Sequence, residues 1–264
     1  MNELRSCALD ALRVVEPGAR CAAVRQLGSF EWPVDADRDL GEPAGVPGRP
    51  DRPLLVAPGA VGPRGVGTRE GRAALLHALA HIEFNAIGLA LDHVWRFAGL
   101  PETYYRDWTR VAVEEAHHFT MLRGRLLEAG FDYGDFPAHD GLWEMARRTA
   151  DDALARMALV PRTLEARGLD ASPAVRAKFL AIGDVESAKI LQLILADEIG
   201  HVAVGNRWFR YLCALRGLDP AATYRREAER RGAPRERGPL NREARLRAGF
   251  TEQELDEIQN QRAQ

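Results

Sequence analysis

Two stretches of this chain set a glutamate and a histidine three residues apart inside an apolar helical stripe. No other feature limits the fold so tightly. In the first, Trp108, Val111, Ala112, Phe119 and Leu122 recur at helical spacing, with Glu115 and His118 among them. In the second, Leu191, Ile194, Leu195, Val202, Gly205 and Phe209 form the stripe, and Glu198 and His201 lie within it. Residues three apart share a helix face, so each pair points where the apolar side chains point. A third stripe, Leu76, Leu79, Ala80, Ala86, Ile87, Ala90 and Val94, carries Glu83 at its middle. The spacing then repeats. Glu115 follows Glu83 by 32 residues, and a step of 33 back from Glu198 lands on Glu165, in the segment TLEARGLD. The chain reads as Glu, then E-x-x-H, twice over, which is the signature of a duplicated helix hairpin.

Turn signals place those residues at matching depths. A helix over about 69–98 stops at Gly99, and Pro101 suits the first turn of the next, about 101–129, which ends at Gly130. A third helix is expected over about 141–168 with a kink at Pro161, interrupted by Gly168 and Pro173 and followed by a shorter piece near 173–182. Gly183-Asp184 makes a turn with Asp184 as N-cap, and a fourth helix covers about 185–215. Glu83 lies 16 residues before Gly99 and Glu115 lies 16 after it; Glu165 lies 18 before Gly183 and Glu198 lies 15 after it. At ~1.5 Å per residue the four carboxylates coincide within about a turn or two. No alternating strand pattern occurs in this stretch. The expected fold is all-α, a four-helix bundle over 68–216. It is preceded at 1–67 by one or two short helices and an extended arm, in which Pro33, Pro43, Pro47, Pro50, Pro53, Pro58 and Pro63 forbid a helix. A partly helical tail, 217–264, follows the bundle, with a short amphipathic helix near 251–261.

Four buried carboxylates without compensation would cost several kcal/mol each, against a net stability of about 5–15 kcal/mol for a whole domain. Two divalent cations remove the conflict, because their charge balances four carboxylates and two imidazoles add nitrogen ligands without changing it. A carboxylate-rich set with one histidine per metal suits iron or manganese better than zinc or copper. The candidate ligands are Glu83, Glu115, His118, Glu165, Glu198 and His201, holding two iron ions, two manganese ions or a mixed pair.

Composition closes off other classes. Thirty-six Lys and Arg against 38 Asp and Glu leave a net charge of −2, which excludes a wholesale basic nucleic-acid coat. Cys7, Cys21 and Cys213 are far apart and form no C-x-x-C, so a zinc ribbon, a rubredoxin-type centre and a disulfide framework are excluded and a reducing, cytoplasmic setting is expected. No uninterrupted apolar run approaches ~18 residues, so no membrane span is expected, and the N-terminus has no signal-peptide pattern. The tail is basic, with nine arginines against four glutamates between Arg225 and Arg247. It reads as a solvated arm packing on the bundle. Contact with RNA is the weaker alternative, since no aromatics interleave the charges.

The segments AHIEFNAIGLALD, EEAHHF, RMALVPRTLEARGLD and DEIGHVAVGNRWF resemble a largely uncharacterised bacterial ferritin-like family, over about 45–215. The pattern is also similar to the wider ferritin-like di-iron superfamily, which includes rubrerythrins, ribonucleotide reductase small subunits and the tRNA hydroxylase acting on methylthio-isopentenyladenosine. The Glu-Ala-Arg at 165–167 looks like the third-helix carboxylate of that hydroxylase. The resemblance implies a ferritin-like bundle and the same six ligands. Glu165 stands just before the Gly168–Pro173 break, which leaves Asp152 as the substitute on the third helix.

Asp197 and Glu114 each precede an E-x-x-H, where a carboxylate can hold a ligand histidine by its other ring nitrogen; Asp197 is paired with His118 in this reading. His81 is two residues from Glu83 and so on another face. His77, His81 and His117 are read as packing or hydrogen-bonding residues, Tyr104, Tyr105 and Tyr211 as packing residues before hosts of a radical or a substrate contact, and Trp208 as core. The function these residues favour is a dinuclear metal oxidoreductase activating O₂ or peroxide, first of all a hydroxylase or monooxygenase. Its substrate is a small molecule or a nucleobase, and its electrons come from a donor protein. A homodimer is compatible with such a bundle. The alternative is a non-catalytic, metal-binding or iron-handling protein.

Overall fold

The computed structural model describes residues 3–62, 64–234 and 238–262; Pro63 of the arm, and Arg235 and Arg237 of the basic stretch, lie outside them. The chain is an all-α helix bundle consistent with a ferritin-like four-helix arrangement. Among the described residues the only strand-like pairing is an isolated bridge between Leu55 and Ala138. The chain divides into two compact units, Met1–Trp143 and Glu144–Gln264. The division falls along the repeat: one unit holds Glu83, Glu115 and His118, the other Glu165, Glu198 and His201.

In the first unit, α1 (Leu4–Arg13) and α2 (Pro17–Gly28) precede the arm, and α3 (Arg69–Arg96) and α4 (Glu102–Glu128) form a long hairpin. Thr68 caps α3 by accepting from Gly71 N at 3.0 Å, and Gly99, at φ +74°, reverses the chain where a side chain would be strained. α3 is long and apolar enough to cross a membrane by length and composition alone, against the sequence expectation, but most of that stretch is buried inside the protein. The Pro-rich arm is held by backbone hydrogen bonds to α1, to the loop after α4 and to the α3–α4 turn. Gly48 N donates to Leu12 O at 2.9 Å, Val56 N to Ala138 O at 2.8 Å, and Gly99 N to Ala36 O at 2.7 Å. Arg5 is fully buried and acts as a second fastener. Its guanidinium donates to Val94 O and Trp95 O at the end of α3 and to Asp35 O, Ala36 O and Arg38 O of the arm. One side chain thus satisfies helix-end carbonyls that have no intrahelical partner.

The second unit corrects the expected third helix. α5 (Gly141–Arg148), which begins just before the division, ends early. A new start at α6 (Ala153–Leu159) then runs through a π-helical turn, Val160–Glu165, directly into α7 (Ala166–Ala181). Gly168 and Pro173 do not interrupt α7. A proline inside a helix lacks a donor and orphans the carbonyl four residues back, and here the carbonyl of Leu169 accepts from Asn241 Nδ2 at 3.1 Å, while Ser172 Oγ bonds Gly168 O at 2.7 Å. Around Pro161 the helix widens instead of breaking. Ala166 N reaches Pro161 O, and Thr163 Oγ1 donates to Ala158 O at 2.8 Å. α8 (Val185–Leu215) starts at Asp184, which accepts from Ser187 N at 3.1 Å. The tail forms α9 (Pro220–Arg230), α10 (Arg242–Arg247) and α11 (Glu252–Arg262). Ala244, Ala248, Phe250 and Leu255 pack with Ala166, Leu169 and Val202 in one apolar cluster.

Candidate metal centre

Glu83 on α3 and Glu115 and His118 on α4 meet inside the first unit. All three are buried, and His118 is fully so. His118 Nδ1 lies 3.1 Å from Glu83 Oε2 and 3.3 Å from Glu115 Oε2. Burial lowers the His118 pKa, but the hydrogen bonds and charges of Glu115 and Glu83 outweigh it and push it up to about 11. The pair of carboxylates thus creates a strong demand for positive charge at this point.

In the second unit, Glu198 and His201 are buried on α8, with His201 Nδ1 3.6 Å from Glu198 Oε1. Glu165 ends the π turn and is partly buried. One ligand atom from each of Glu83, Glu115, His118 and Glu198 lies within 4.8 Å of the other three, and all four residues are buried. Two oxygens on opposite sides of one small cation at ~2.1 Å stand ~4.2 Å apart, so these four donors fit around metal with little adjustment. Carboxylates can also bridge, and the cluster is capable of coordinating a dinuclear site. Among the predicted ligands, Glu165 and His201 fall outside this group of four.

The Asp152 carboxylate, the alternative on the third helix, is engaged elsewhere. It caps α6 by accepting from Leu154 N at 3.0 Å and takes both Arg216 nitrogens at 2.8 and 3.1 Å. Glu114 and Asp197 are half-buried. His81 faces away from the cluster, with Nδ1 2.8 Å from Tyr133 Oη and Nε2 3.2 Å from His139 O. Burial holds its pKa down at about 4. His77 Nε2 accepts from Gly134 N at 2.9 Å, and His117 is exposed.

Sequence reasoning missed Arg162, which stands three residues before Glu165 inside the π turn and is nearly fully buried. It bonds Asn206 of α8 and, at 2.5 Å, Glu254 of α11, and it lies over the rings of Phe209, Tyr224 and Phe250. An arginine in the apolar run MALVPRTLE is the one signal that could have exposed it. Gly205, on the face of α8 beside the same turn, lets Pro161 approach: a Cβ there would stand 2.6 Å from Pro161 Cγ. The tail's basic residues are largely consumed by ion pairs, among them Arg245 with Asp170, Arg231 with Asp151, and Arg242 with Asp256.

The fold and the cluster define a class: an all-helical protein with an acidic and histidine metal site consistent with a ferritin-like di-iron centre. Residues 16–256 match the family described as "Protein of unknown function (DUF455)", and the chain belongs to that family. It is similar to an "Uncharacterized protein" of Haemophilus influenzae, 43% identical over 261 residues, covering 94% of this chain and 91% of that protein. No solved structure matches the chain.

Proposed function

We propose that the protein is a dinuclear metal oxidoreductase, with iron as the first metal, that activates O₂ or peroxide to hydroxylate a small molecule or nucleobase. The observation that carries this reading is the buried cluster of three carboxylates and one imidazole. Glu83, Glu115 and His118 would hold one side of the metal pair, and Glu165, Glu198 and His201 the other, following the internal repeat. When bound, such a pair supplies redox electrons and open coordination positions. The chain's own residues do the rest. The carboxylates set an anionic, oxygen-rich ligand field suited to iron or manganese. Asp197 is assigned to hold His118 by the ring nitrogen that does not face the cluster, fixing its orientation. Cys7, Cys21 and Cys213 are all free thiols, so no cysteine pair offers a built-in relay and the reading calls for an external electron donor. We place the protein in the cytoplasm.

The test is elemental analysis of protein made without chelators or affinity tags and reconstituted anaerobically with iron or manganese. About two ions per chain are expected, as for carboxylate bundles of this kind, with loss on Glu115→Ala or Glu198→Ala. The ferrous protein is then mixed with O₂ or peroxide and followed by stopped-flow absorption. A transient visible band supports the oxidoreductase. Bound metal whose oxidation state neither oxidant changes would instead establish the non-catalytic, metal-binding alternative. A folded protein that takes up neither metal would overturn both.

A further inference from the structure

A second site lies in the first unit, on the other side of α3 from Glu83. His81, Asn85 and Gly88 follow at helical spacing on that face, and with Phe84, Tyr133 and Trp143 they line a cavity of about 200 Å³ roofed by the arm from Pro47 to Leu55. The group that gives the cavity its chemistry is Arg20. It is only 2% exposed, and its bonds go to uncharged backbone oxygens: Nε and Nη2 donate to Val14 O at 2.9 and 2.7 Å, and Nη2 also to Gly48 O. Nη1 takes part in none of these. It points toward Gly88, where a Cβ would stand 3.9 Å from it and 3.6 Å from Trp143 Cζ3. The charges that act on Arg20 include a second cation, Arg49, and, among the described residues, no carboxylate; the acidic residue of the wall, Asp51, is an exposed residue of the arm. Burying a guanidinium without a counter-anion is unfavourable, and an anion delivered into the cavity would relieve that cost through a charge-assisted hydrogen bond.

The remaining walls specify the rest of the ligand. The Phe84 ring lies 4.5 Å under the Arg20 guanidinium, and Trp143 and the prolines of the arm are apolar. A cavity of about 150 Å³ holds a benzene ring, so this volume suits one ring or a branched chain together with a carboxylate. We propose that the cavity binds a small monocarboxylate with an aromatic or branched apolar body, its carboxylate on Arg20 Nη1 and its body against Phe84 and Trp143. Because Gly48 O is already on Arg20 and the arm forms the roof, occupancy would also clamp the arm onto α3. The proposal is independent of the metal reading, since none of these residues belongs to the metal cluster.

The test uses the whole protein and three probes in titration calorimetry: benzoate, benzyl alcohol as its uncharged match, and inorganic phosphate as charge without an apolar body. One benzoate per chain is expected, with binding at least tenfold weaker for the other two. Gly88→Leu fills the cavity without touching the Arg20 bonds and is expected to abolish benzoate binding. Amide hydrogen exchange on the unmodified protein locates the site whether or not that variant folds: benzoate should slow exchange in the arm around Gly48–Leu55. Absence of saturable benzoate binding, equal binding of benzyl alcohol or of phosphate, protection elsewhere than the arm and α3, or unchanged binding to folded Gly88→Leu would each overturn the proposal.

Discussion

The two units carry the same sequence pattern, Glu and then E-x-x-H, on differently built helices. In the first, α3 and α4 run unbroken past Glu83, Glu115 and His118, and the three side chains meet within one hairpin at 3.1 and 3.3 Å. In the second, Glu165 sits at the end of a π turn forced by Pro161, and His201 and Glu198 are 3.6 Å apart. Regular helices position ligands by period alone. A π turn adds a residue to the turn, shifts the register of everything before it, and occurs often at functional sites. Such a turn needs outside support, and the tail supplies it. Arg162 is clamped by Asn206 and Glu254, and the carbonyl that Pro173 orphans is bonded by Asn241. The first unit is fastened at its ends by the N-terminal arm; the second is fastened by the C-terminal tail through the π turn that carries Glu165.

The largest stability effect should fall on the first unit. Arg5→Met would remove a donor from five backbone carbonyls of α3 and the arm, of which Ala36 O alone keeps the Gly99 amide described above, a loss of about 4 kcal/mol for a fully buried site of this kind. Urea unfolding measures the loss. Hydrogen exchange should show it first at the arm and at the end of α3, with the tail helices unaffected. Equal loss of protection in α10 and α11 would mean that the two units do not behave as separately fastened bodies.

Next comes the clamp on the second unit. Glu254→Gln removes one partner of a largely buried ion pair with Arg162, which costs about 3 kcal/mol at neutral pH. The pH dependence has a definite sign. Burial raises the Glu254 pKa, but Arg162, the Thr251 amide and Arg210 outweigh it and hold the carboxyl below its usual 4.5. A group depressed in the folded state stabilises above its unfolded pKa and loses that contribution as the pH falls. The gap between wild type and Glu254→Gln should therefore narrow below about pH 4.5. A gap that stays constant to pH 3 would show that packing, rather than charge, holds the tail.

Gly205→Ala tests the same turn from the α8 side. The added methyl would press on the rigid Pro161 ring, and overpacking of this kind costs about 2 kcal/mol. Beyond that loss, the variant should bind less metal if the π turn aims Glu165 at the centre. Gly200→Ala, on the exposed side of α8 with open space around an added Cβ, is the control: it should raise stability by about 1 kcal/mol through helix propensity and leave metal content unchanged.

The contrast between the units is also the contrast between what the sequence disclosed and what it concealed. The limits of α3, α4 and α8 follow from Gly99, Pro101, Gly183 and the Asp184 cap, all local signals, and the cluster of Glu83, Glu115, His118 and Glu198 follows from helical period. The third helix could not be read that way. Pro161, Gly168 and Pro173 are each a proper local reason to stop a helix, and what overrides them is remote: Asn241 lies 68 residues beyond Pro173, and Glu254 lies 92 beyond Arg162. The buried Arg5 was equally hidden, because its partner carbonyls lie 30 to 90 residues away and leave no trace in its own neighbourhood.

The smallest stability effect should decide the question the sequence left open on that third helix. Asp152→Ala removes the α6 cap and the Arg216 pair, a loss of about 1 kcal/mol. Because the carboxylate is already engaged there, metal content per chain should not change. Glu165→Ala touches no cap, since Glu165 makes no side-chain capping bond at the start of α7. Under the duplicated-ligand reading it nonetheless removes one side's first carboxylate, and metal content should fall to about one ion per chain, by the one-carboxylate-per-helix logic of such bundles. The two variants thus separate the cap from the metal site. If Asp152→Ala loses metal and Glu165→Ala keeps it, the second unit does not repeat the first, and the internal duplication is one of helices without ligands.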